Sequence, residues 1–390
     1  MSYFSLQQKV RLARAVVSKR SPIYVQYYIT ARCNLACEQC HIIYGDAGYG
    51  EMSIGQIRAM AENLARIGVA VVLLIGGEPF VRRDLPEIVK AFTDCGIHVR
   101  LQTNGLATRE ALEACVRSGA HDISISLDSL SPPVQDTING GFERSWDRAI
   151  ETVAMINEIF PENGTAFFGT VLMRRNVEDI PGVIEFATGI GWGVSLVPVH
   201  TSSPLSPRGF RTFDEAGVVR FAESDYPRVR RLLDEVKRMR REGFLVYDSE
   251  EYLEDIYRFV THQPLQWRRR NAGQCDSPDL YFAVAPDGVL KTCCDFEALK
   301  KFPIYDPEFP RLYVEREVHR HVYPVAQACD GCMYGSYPEI SITARFLRPL
   351  VERLFYFNVS PPALQKLSAP EMKALAAEIH GRRSAARKAA

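Results

Sequence analysis

Two alternating periodicities organise the first half of the chain. Short apolar runs of strand length cover 24–30, 69–75, 97–103, 121–127, 165–172 and 193–199. Between them, apolar residues recur every three or four positions, as in amphipathic helices, over 53–67, 84–95, 108–118, 144–159 and 178–189. Strands that alternate with helices in this way predict a parallel sheet with right-handed crossovers. The predicted fold is therefore α/β, a partial (β/α)6 parallel barrel.

Two of the predicted strands carry polar residues on one face only. Arg100, Gln102 and Asn104 alternate with apolar residues in the third strand, and Ser124, Ser126 and Asp128 do so in the fourth. Because parallel sheets are normally covered on both sides, the apolar face should meet the helices and the polar face should line the barrel interior. Solvent-exposed strand edges are the alternative. On pattern alone, the catalytic candidates are Asp128, Arg100 and Gln102.

The second half of the chain reads as smaller units. We predict an N-terminal helix in 1–22, the barrel in 23–204, a helical connector in 205–270, a small β-hairpin and helix unit in 271–340, and amphipathic helices in 341–390. The hairpin should turn at Asp287-Gly288. The tail helix combines apolar and arginine residues, so it either docks onto the barrel, lies on a membrane or receives a hydrophobic substrate.

Composition narrows the class of protein. The chain has 390 residues, 46% of them hydrophobic, with a formal net charge of zero, which gives no argument for nucleic acid as a partner. Neither a signal peptide nor an apolar run of membrane-spanning length is apparent, so we expect a cytoplasmic protein without a transmembrane segment. Ten cysteines in such a chain suggest metal ligands more than disulfides.

Three of the cysteines, Cys33, Cys37 and Cys40, follow the first predicted strand at the spacing C-x3-C-x2-C. Three thiolates can hold a cubane iron–sulfur cluster, but they leave its fourth iron without a protein ligand. That open iron invites a substrate or cofactor, which indicates chemistry at the metal. The alternatives are three structural cysteines on a turn or a zinc site completed by His41.

The triplet and several later motifs resemble the radical SAM superfamily. The later motifs are Gly76-Gly77-Glu78-Pro79, Thr103-Asn104-Gly105, Ser124-Ile125-Ser126-Leu127-Asp128, and Asn176. The resemblance implies a [4Fe–4S] cluster whose open iron chelates S-adenosylmethionine (SAM) and cleaves it to a 5′-deoxyadenosyl radical. It implies cofactor contacts at Gly76, Gly77, Glu78, Pro79, Asn104, Ser124, Ser126, Asn176 and Val197. Gln39 departs from the family, which usually has an aromatic residue before the third cysteine.

A second group of cysteines, Cys275, Cys293, Cys294, Cys329 and Cys332, lies in the 271–340 unit. It resembles the SPASM/twitch extension of radical SAM enzymes, in its one-cluster form. The resemblance implies a second [4Fe–4S] cluster on Cys275, Cys293, Cys329 and Cys332, with Cys294 either exchanging with Cys293 or only packing. A structural zinc ribbon is the alternative, because four cysteines also suit tetrahedral zinc. Cys95 and Cys115 are expected to be small buried hydrophobes.

These observations predict a radical SAM enzyme that oxidises a small molecule, hydrophobic or anionic. A donor such as flavodoxin or ferredoxin would supply the electron for the reductive cleavage of SAM. A closed auxiliary cluster would take an electron from a substrate radical, and the short N-terminal segment has no room for a leader-recognition domain. The alternatives are a peptide maturase with a separate leader-binding partner, and a non-catalytic iron–sulfur or zinc scaffold that binds SAM. Peripheral membrane contact is a further expectation for the tail.

Overall fold

One sheet of eight strands forms the centre of the molecule. The computed structural model describes residues 3–40, 50–200, 221–358 and 362–389. Its strands are β1 (Tyr24–Tyr28), β2 (Val71–Ile75), β3 (His98–Thr103), β4 (Asp122–Ser126), β5 (Ala166–Leu172), β6 (Gly193–Pro198), β7 (Tyr281–Val284) and β8 (Leu290–Lys291). They lie in the order β6-β5-β4-β3-β2-β1-β7-β8, and every neighbouring pair is parallel except β7 with β8. The predicted parallel α/β fold with six barrel strands is confirmed.

Helices cover the sheet and connect its strands. They are α1 (Leu6–Ser18), α2 (Ile54–Ile67), α3 (Leu85–Asp94), α4 (Arg109–Arg117), α5 (Pro132–Ile138), α6 (Ser145–Ile159), α7 (Ile180–Gly189), α8 (Tyr226–Arg241), α9 (Glu250–Val260), α10 (Phe309–Val314), α11 (Glu317–Ala328), α12 (Ser336–Arg345), α13 (Leu347–Asn358) and α14 (Ala369–Ala389). Local chemistry fixes their ends. On α2, Ser53 and Gln56 form a reciprocal capping box, and Gly68 ends the helix at φ 96°. Helix α5 was not predicted, because its seven residues are too few to show a period.

The C-terminal hairpin joins the barrel sheet. Strand β7 pairs in parallel with β1, placing Tyr281 opposite Tyr24. The hairpin turns where predicted, with Gly288 at φ 84° and the Asp287 carboxylate accepting a hydrogen bond from the Val289 N–H at 3.1 Å. Strand β7 starts beside the start of β1, and β8 runs back along β7, so Cys275, before β7, and Cys293, after β8, lie towards the amino-terminal end of the sheet. The first cysteine loop instead follows the carboxyl end of β1. The sequence pattern could not show the pairing of β7 with β1, because it is a long-range pairing.

Buried charges close the amino-terminal end of the barrel. Asp122, at the start of β4, accepts hydrogen bonds from the Tyr3 hydroxyl, His98 at 2.8 Å and His121 at 3.0 Å, and its Oδ2 lies 3.4 Å from Arg100 Nε. Burial alone would raise the pKa of Asp122, but these histidines and Arg100 hold it well below its usual range. Charged side chains that hydrogen-bond to one another therefore close this end of the barrel.

The C-terminal helices differ in how they meet the barrel. Helix α14 packs against α6 and α7, and just before it the Ser368 N–H donates to the Glu371 carboxylate at 2.8 Å. Helix α13 instead leaves Leu347 and Phe355 exposed, at 75% and 69%. The docking expected for the tail thus holds for α14, and only in part for α13. Among the described residues, no helix is long and apolar enough to cross a bilayer.

Candidate functional site

The first cysteine loop is tied to the carboxyl ends of the strands by backbone hydrogen bonds. The Gly77 N–H donates to the Thr30 carbonyl at 2.8 Å, and the Glu78 N–H donates to the Arg32 carbonyl at 2.9 Å. Further along the loop, the Glu38 N–H donates to the Ile138 carbonyl at the end of α5, at 2.9 Å. The loop is thus held at both ends, where ligands of parallel α/β folds bind.

Two glycines allow the loop to pack this closely. A Cβ atom on Gly77 would lie 2.0 Å from the Arg32 carbonyl oxygen, and one on Gly140 would lie 2.3 Å from that of Ala36. Gly140 also has φ +79°, which side chains disfavour. The close backbone approach expected for the Gly76-Gly77 pair therefore serves the cysteine loop itself.

Cys33, Cys37 and Cys40 all line one cavity of about 330 Å³. Burial raises the pKa of the Cys37 thiol, and charge on Cys40 and Asp128 raises it further. Burial likewise raises the pKa of Cys33, although the Leu35 N–H donates to its sulfur at 3.4 Å. In the absence of a metal, neighbouring thiols of this kind stay protonated. A metal would stabilise their thiolate forms, so the group suits a metal centre. Their donor set fits three irons of a cubane cluster.

Glu78 accepts hydrogen bonds from residues around the first cysteine loop. Its carboxylate is 1% exposed and accepts hydrogen bonds from the Phe80 N–H at 3.0 Å, the Thr103 hydroxyl at 2.9 Å and the Asn104 N–H at 2.7 Å. Burial raises its pKa to about 7. Glu78 thereby fixes Asn104, whose side-chain amide donates to Asn34 at 2.7 Å and points to the Cys33 sulfur at 3.9 Å.

Most of the predicted site residues line this same cavity: Gly76, Gly77, Glu78, Arg100, Gln102, Asn104, Ser124, Ser126 and Val197. The polar faces of β3 and β4 therefore point inward, as expected from their alternation. Among the described lining residues, Arg100 is the only lysine or arginine. It gives the inner end of the cavity a cation, next to the Phe167 ring at 5.6 Å.

Asp128, Asn176 and Pro79 lie just outside the cavity lining. Asp128 is fully buried and accepts hydrogen bonds from the Val171 N–H at 2.6 Å and from Gln39 Nε2 at 3.2 Å. Asn176 donates to the carbonyls of Asp128 and Val171 at 2.9 and 2.8 Å. Both residues thus support the loop that carries Gln39, and the roles predicted for them in catalysis and cofactor binding stay predictions.

Four thiols of the second group form a half-buried cluster, those of Cys275, Cys293, Cys329 and Cys332. Burial raises the pKa of Cys332 well above its usual value, and charge on Cys329 and Cys275 raises it further. Burial also raises the pKa of Cys293, with contributions from charge on Asp295, Cys294 and Cys332. None of Cys275, Cys293, Cys329 and Cys332 lines the barrel cavity. Their donor set fits a closed four-cysteine metal centre, of iron–sulfur or zinc type.

Cys294 is turned away from that cluster. Its sulfur lies 3.9 Å from Gln26 Oε1 and 4.0 Å from the Tyr337 hydroxyl, and it lines the barrel cavity. Charge on Cys332 raises the pKa of Cys293. Of the two candidates, Cys293 therefore suits the ligand role.

Residues missed by the sequence analysis hold the second group in place. Arg268 Nη2 donates to the Cys329 carbonyl at 2.7 Å, and Trp267 Nε1 donates to the Cys332 carbonyl at 3.3 Å. Arg345 Nε bonds both carboxylate oxygens of Asp276, beside Cys275, at 3.0 Å. The Trp267-Arg268 pair was visible in the sequence, but only the fold shows what these side chains contact.

The two histidines considered near the site have different outcomes. His41 lies outside the described residues. His200 lines the cavity, stacks on Tyr334 with ring centres 3.6 Å apart, and accepts a hydrogen bond from the Met333 N–H at 2.9 Å. Its structural role is as expected.

Comparison with known proteins supplies the family. The Radical SAM superfamily model matches residues 27–187. The AdoMet-dependent heme synthase of Methanosarcina barkeri is 30% identical over 181 residues, which are 45% of this chain and 50% of that protein. The mycofactocin maturase MftC of Mycobacterium tuberculosis is 34% identical over 43% of this chain and 41% of its own length. The chain thus spans half or less of these curated relatives.

A solved structure shares the fold. SuiB of Streptococcus suis, bound to the precursor peptide SuiA, covers 80% of this chain and 70% of its own, with a TM-score of 0.61 and 16% identity. A [4Fe–4S] cluster and SAM are the cofactors of the matched family, so the prediction of both is confirmed. The cysteine loop, the motif residues around the cavity and the family match agree: residues 27–187 form a radical SAM domain.

Proposed function

We propose that this protein is a radical SAM enzyme that oxidatively modifies a peptide, with a second cluster bound by Cys275, Cys293, Cys329 and Cys332. One observation carries the proposal. The cavity that is lined by all three cysteines of the first group also reaches Cys294 and Tyr334, next to the second group. A substrate that fills this cavity lies between the two metal centres.

Both clusters have a chemical purpose in such a reaction. Bound to the first group, a [4Fe–4S] cluster with SAM supplies a 5′-deoxyadenosyl radical that removes a hydrogen atom from a C–H bond, and a closed second cluster supplies an acceptor for the remaining electron. Forming a new bond or double bond in the substrate then releases one proton. The overall change is the loss of two hydrogen atoms.

The chain's own residues would bind and orient the substrate. Arg100, at the inner end of the cavity, offers a cation to a carboxylate, while Asp122 behind it keeps the guanidinium in place. Gln102, Ser124 and Ser126 supply donors and acceptors that match the amide groups of a peptide. A hydrogen-bonding wall of this kind favours a polar substrate over a purely apolar one.

The relatives favour a peptide over the small molecule expected from the sequence. The PqqA peptide cyclase of Rhodopseudomonas palustris is 31% identical over 43% of this chain, and the mycofactocin maturase is similarly related. The heme synthase among the relatives makes a porphyrin the second candidate substrate. A separate leader-binding protein and an electron donor such as flavodoxin or ferredoxin would complete the system, which we place in the cytoplasm.

The test uses anaerobically reconstituted enzyme with SAM, dithionite and each short peptide that the genes next to its own encode. We expect 5′-deoxyadenosine and a peptide lighter by two hydrogen atoms in the mass spectrum. The Cys329→Ala variant should still release 5′-deoxyadenosine but lose the product, while Cys294→Ala should keep the iron of both centres. A normal yield of product from Cys329→Ala would contradict the role of the second cluster.

A parallel reaction separates the substrate classes. If an iron-free or iron-bound porphyrin is altered and the peptide is not, the peptide part of the proposal is wrong. If no 5′-deoxyadenosine forms with either, the SAM-binding scaffold is the better description.

A further inference from the structure

Helix α1 is fixed to the barrel by one face. Ala15 is fully buried, and Arg11 Nη1 donates to the carbonyls of Val69 at 3.0 Å and Gly96 at 3.3 Å. Just before the helix, the Tyr3 and Phe4 side chains are buried beside His98. These contacts set the rotation of α1 about its axis, so its opposite face must point away from the barrel.

That outer face is apolar. Leu6, Val10 and Val17 are 80%, 60% and 82% exposed. At positions i, i+4 and i+11, they fall on one stripe along the helix, and Ala13 lies on the same stripe. Exposed valines and leucines are common singly, but an aligned set marks a contact surface.

Helix α13 presents a second stripe beside the first. Leu347, Val351 and Phe355, at i, i+4 and i+8, are 75%, 46% and 69% exposed. A cavity of about 160 Å³ lies between the two helices, with Leu12 and Val16 of α1 on one wall and Leu350 of α13 on the other. Helices α1 and α13 therefore border the same cavity, at the amino-terminal ends of β1, β2 and β3, and their outer faces form the surface considered next.

Positive charge accompanies this surface. Residues 3–37 contain no aspartate or glutamate, although the whole chain is neutral, and α1 with its flanks carries Lys9, Arg11, Arg14, Lys19 and Arg20. Within the part of the chain that the structure describes, neither Lys9 nor Arg14 pairs with a carboxylate. On α8, by contrast, Arg230 pairs with Asp234 at 2.6 Å and Glu254 at 3.0 Å. Lys9 and Arg14 are thus available to an external anion.

We propose that the outer faces of α1 and α13 bind the surface of an anionic phospholipid bilayer. A bilayer meets both features at once, since its phosphates attract Lys9 and Arg14 while its acyl region accepts the apolar stripes. A second copy of the chain fits less well, because a two-fold contact through α1 would place these cations against their own copies. The docked face lies opposite the carboxyl end of the barrel, so the barrel cavity that contains Cys33, Cys37 and Cys40 stays open to water.

The test measures the binding of the full, anaerobically reconstituted protein to vesicles by co-sedimentation. Vesicles of phosphatidylcholine with phosphatidylglycerol should bind the protein, and vesicles of phosphatidylcholine alone should bind it much more weakly. In Lys9→Gln/Arg14→Gln, affinity should fall about fivefold for each cation removed. In Val10→Asp/Val17→Asp, it should fall at least about tenfold. Neither pair touches the cavity, so SAM cleavage should be unchanged.

Matched variants control for exposure and net charge. Val314→Asp alters a valine that is 71% exposed on α10, and Lys301→Gln/Lys366→Gln removes two exposed cations away from α1. Both controls should bind vesicles as the wild type does, with iron content and far-UV circular dichroism confirming the fold of every variant.

Three results would overturn the lipid proposal. The first is wild-type protein that ignores anionic vesicles. The second is equal weakening by the α1 variants and the controls. The third is saturable binding of an acidic amphipathic peptide, or self-association, that the α1 variants abolish while vesicle binding stays absent.

Discussion

The two cysteine groups are built in different ways, although both flank strands of one sheet, in which β1 pairs with β7. The first group lies on one continuous loop that is held by backbone hydrogen bonds and by glycines without Cβ atoms. The second is drawn from separate segments and is held by buried side chains, namely Trp267, Arg268, Asp276 and Arg345. Backbone contacts thus hold the first group and leave its thiols facing the cavity, whereas side chains from several segments hold the second group.

The cavity shows the same contrast. Cys33, Cys37 and Cys40 all line it, while none of the four proposed ligands of the second group does. An open cluster needs access to the cavity for its cofactor, and a closed cluster does not. Access to the cavity, and not the burial of the thiols, distinguishes the two groups, because the proposed ligand cysteines of both are half-buried.

Removing a ligand from the open site should have the largest effect. In Cys37→Ala we expect 5′-deoxyadenosine to fall to the background of the assay, because the remaining two thiolates cannot hold the cluster. The second centre should keep its metal. Cys95→Ala, which alters a half-buried thiol outside both groups, is the control. Normal cleavage of SAM by Cys37→Ala would contradict the assignment of the open cluster to the first cysteine group.

Breaking the buried ion pair should damage the closed site selectively. Arg345→Met leaves the Asp276 carboxylate, 2% exposed, without its cation, which typically costs about 3–5 kcal/mol. We expect a lower denaturation midpoint and loss of the second metal. Arg348→Met removes an exposed pair with Glu352 and should cost less than about 1 kcal/mol. Equal effects of the two variants in thermal denaturation and metal analysis would contradict this view of the second site.

Adjacent glycines allow a finer test of the open site. Gly140 and Gly141 have nearly the same φ, +79° and +78°, but an added Cβ meets the Ala36 carbonyl only at Gly140 and finds open space at Gly141. Gly140→Ala should therefore reduce iron at the first centre and weaken SAM binding, measured by iron analysis and calorimetry. Gly141→Ala should share the backbone strain alone. If both variants lost iron equally, strain and not the packing of the loop would be responsible.

The smallest effect expected is a dependence of stability on pH. Burial raises the pKa of Glu78, Asp128 and Asp248 to about 7. For such carboxyls, the stabilising protonated form is fully present below the unfolded pKa of about 4 and is lost as pH rises through about 7. The midpoint temperature of thermal denaturation should therefore decrease as the pH is raised from 5 to 8.

Asp248→Asn should flatten that dependence, because it removes one of the three titrations. Asp122 and Glu254, whose pKa values are lowered, lose their contribution only at pH values below this window. A midpoint that rises from pH 5 to pH 8 would contradict the assignment.

Sequence periodicity predicted the barrel well, because strand and helix patterns are local. The six strands and the five helices between them begin and end within two residues of their predicted positions. The alternation in β3 and β4 also placed Arg100, Gln102 and Ser126 correctly on the cavity wall. The ends of these elements and the faces of their residues depend on residues that are close in sequence.

Contacts between distant segments could not be predicted in this way. Nothing local shows that β7 pairs with β1, that Arg345 reaches Asp276, or that Asp128 turns from the cavity to hold Gln39. The choice between Cys293 and Cys294 also depended on the fold, since adjacent residues of a strand end point to opposite sides.

Iron and sulfide content with Mössbauer spectra, measured on anaerobically reconstituted protein, tests the central claim most directly. The wild type should hold about eight irons in two [4Fe–4S] clusters, and the Cys33/Cys37/Cys40 triple alanine variant should hold about four. About four irons falling to none, with zinc present, would contradict the account. The second group would then be a zinc ribbon, and no acceptor would remain for the electron released on substrate oxidation.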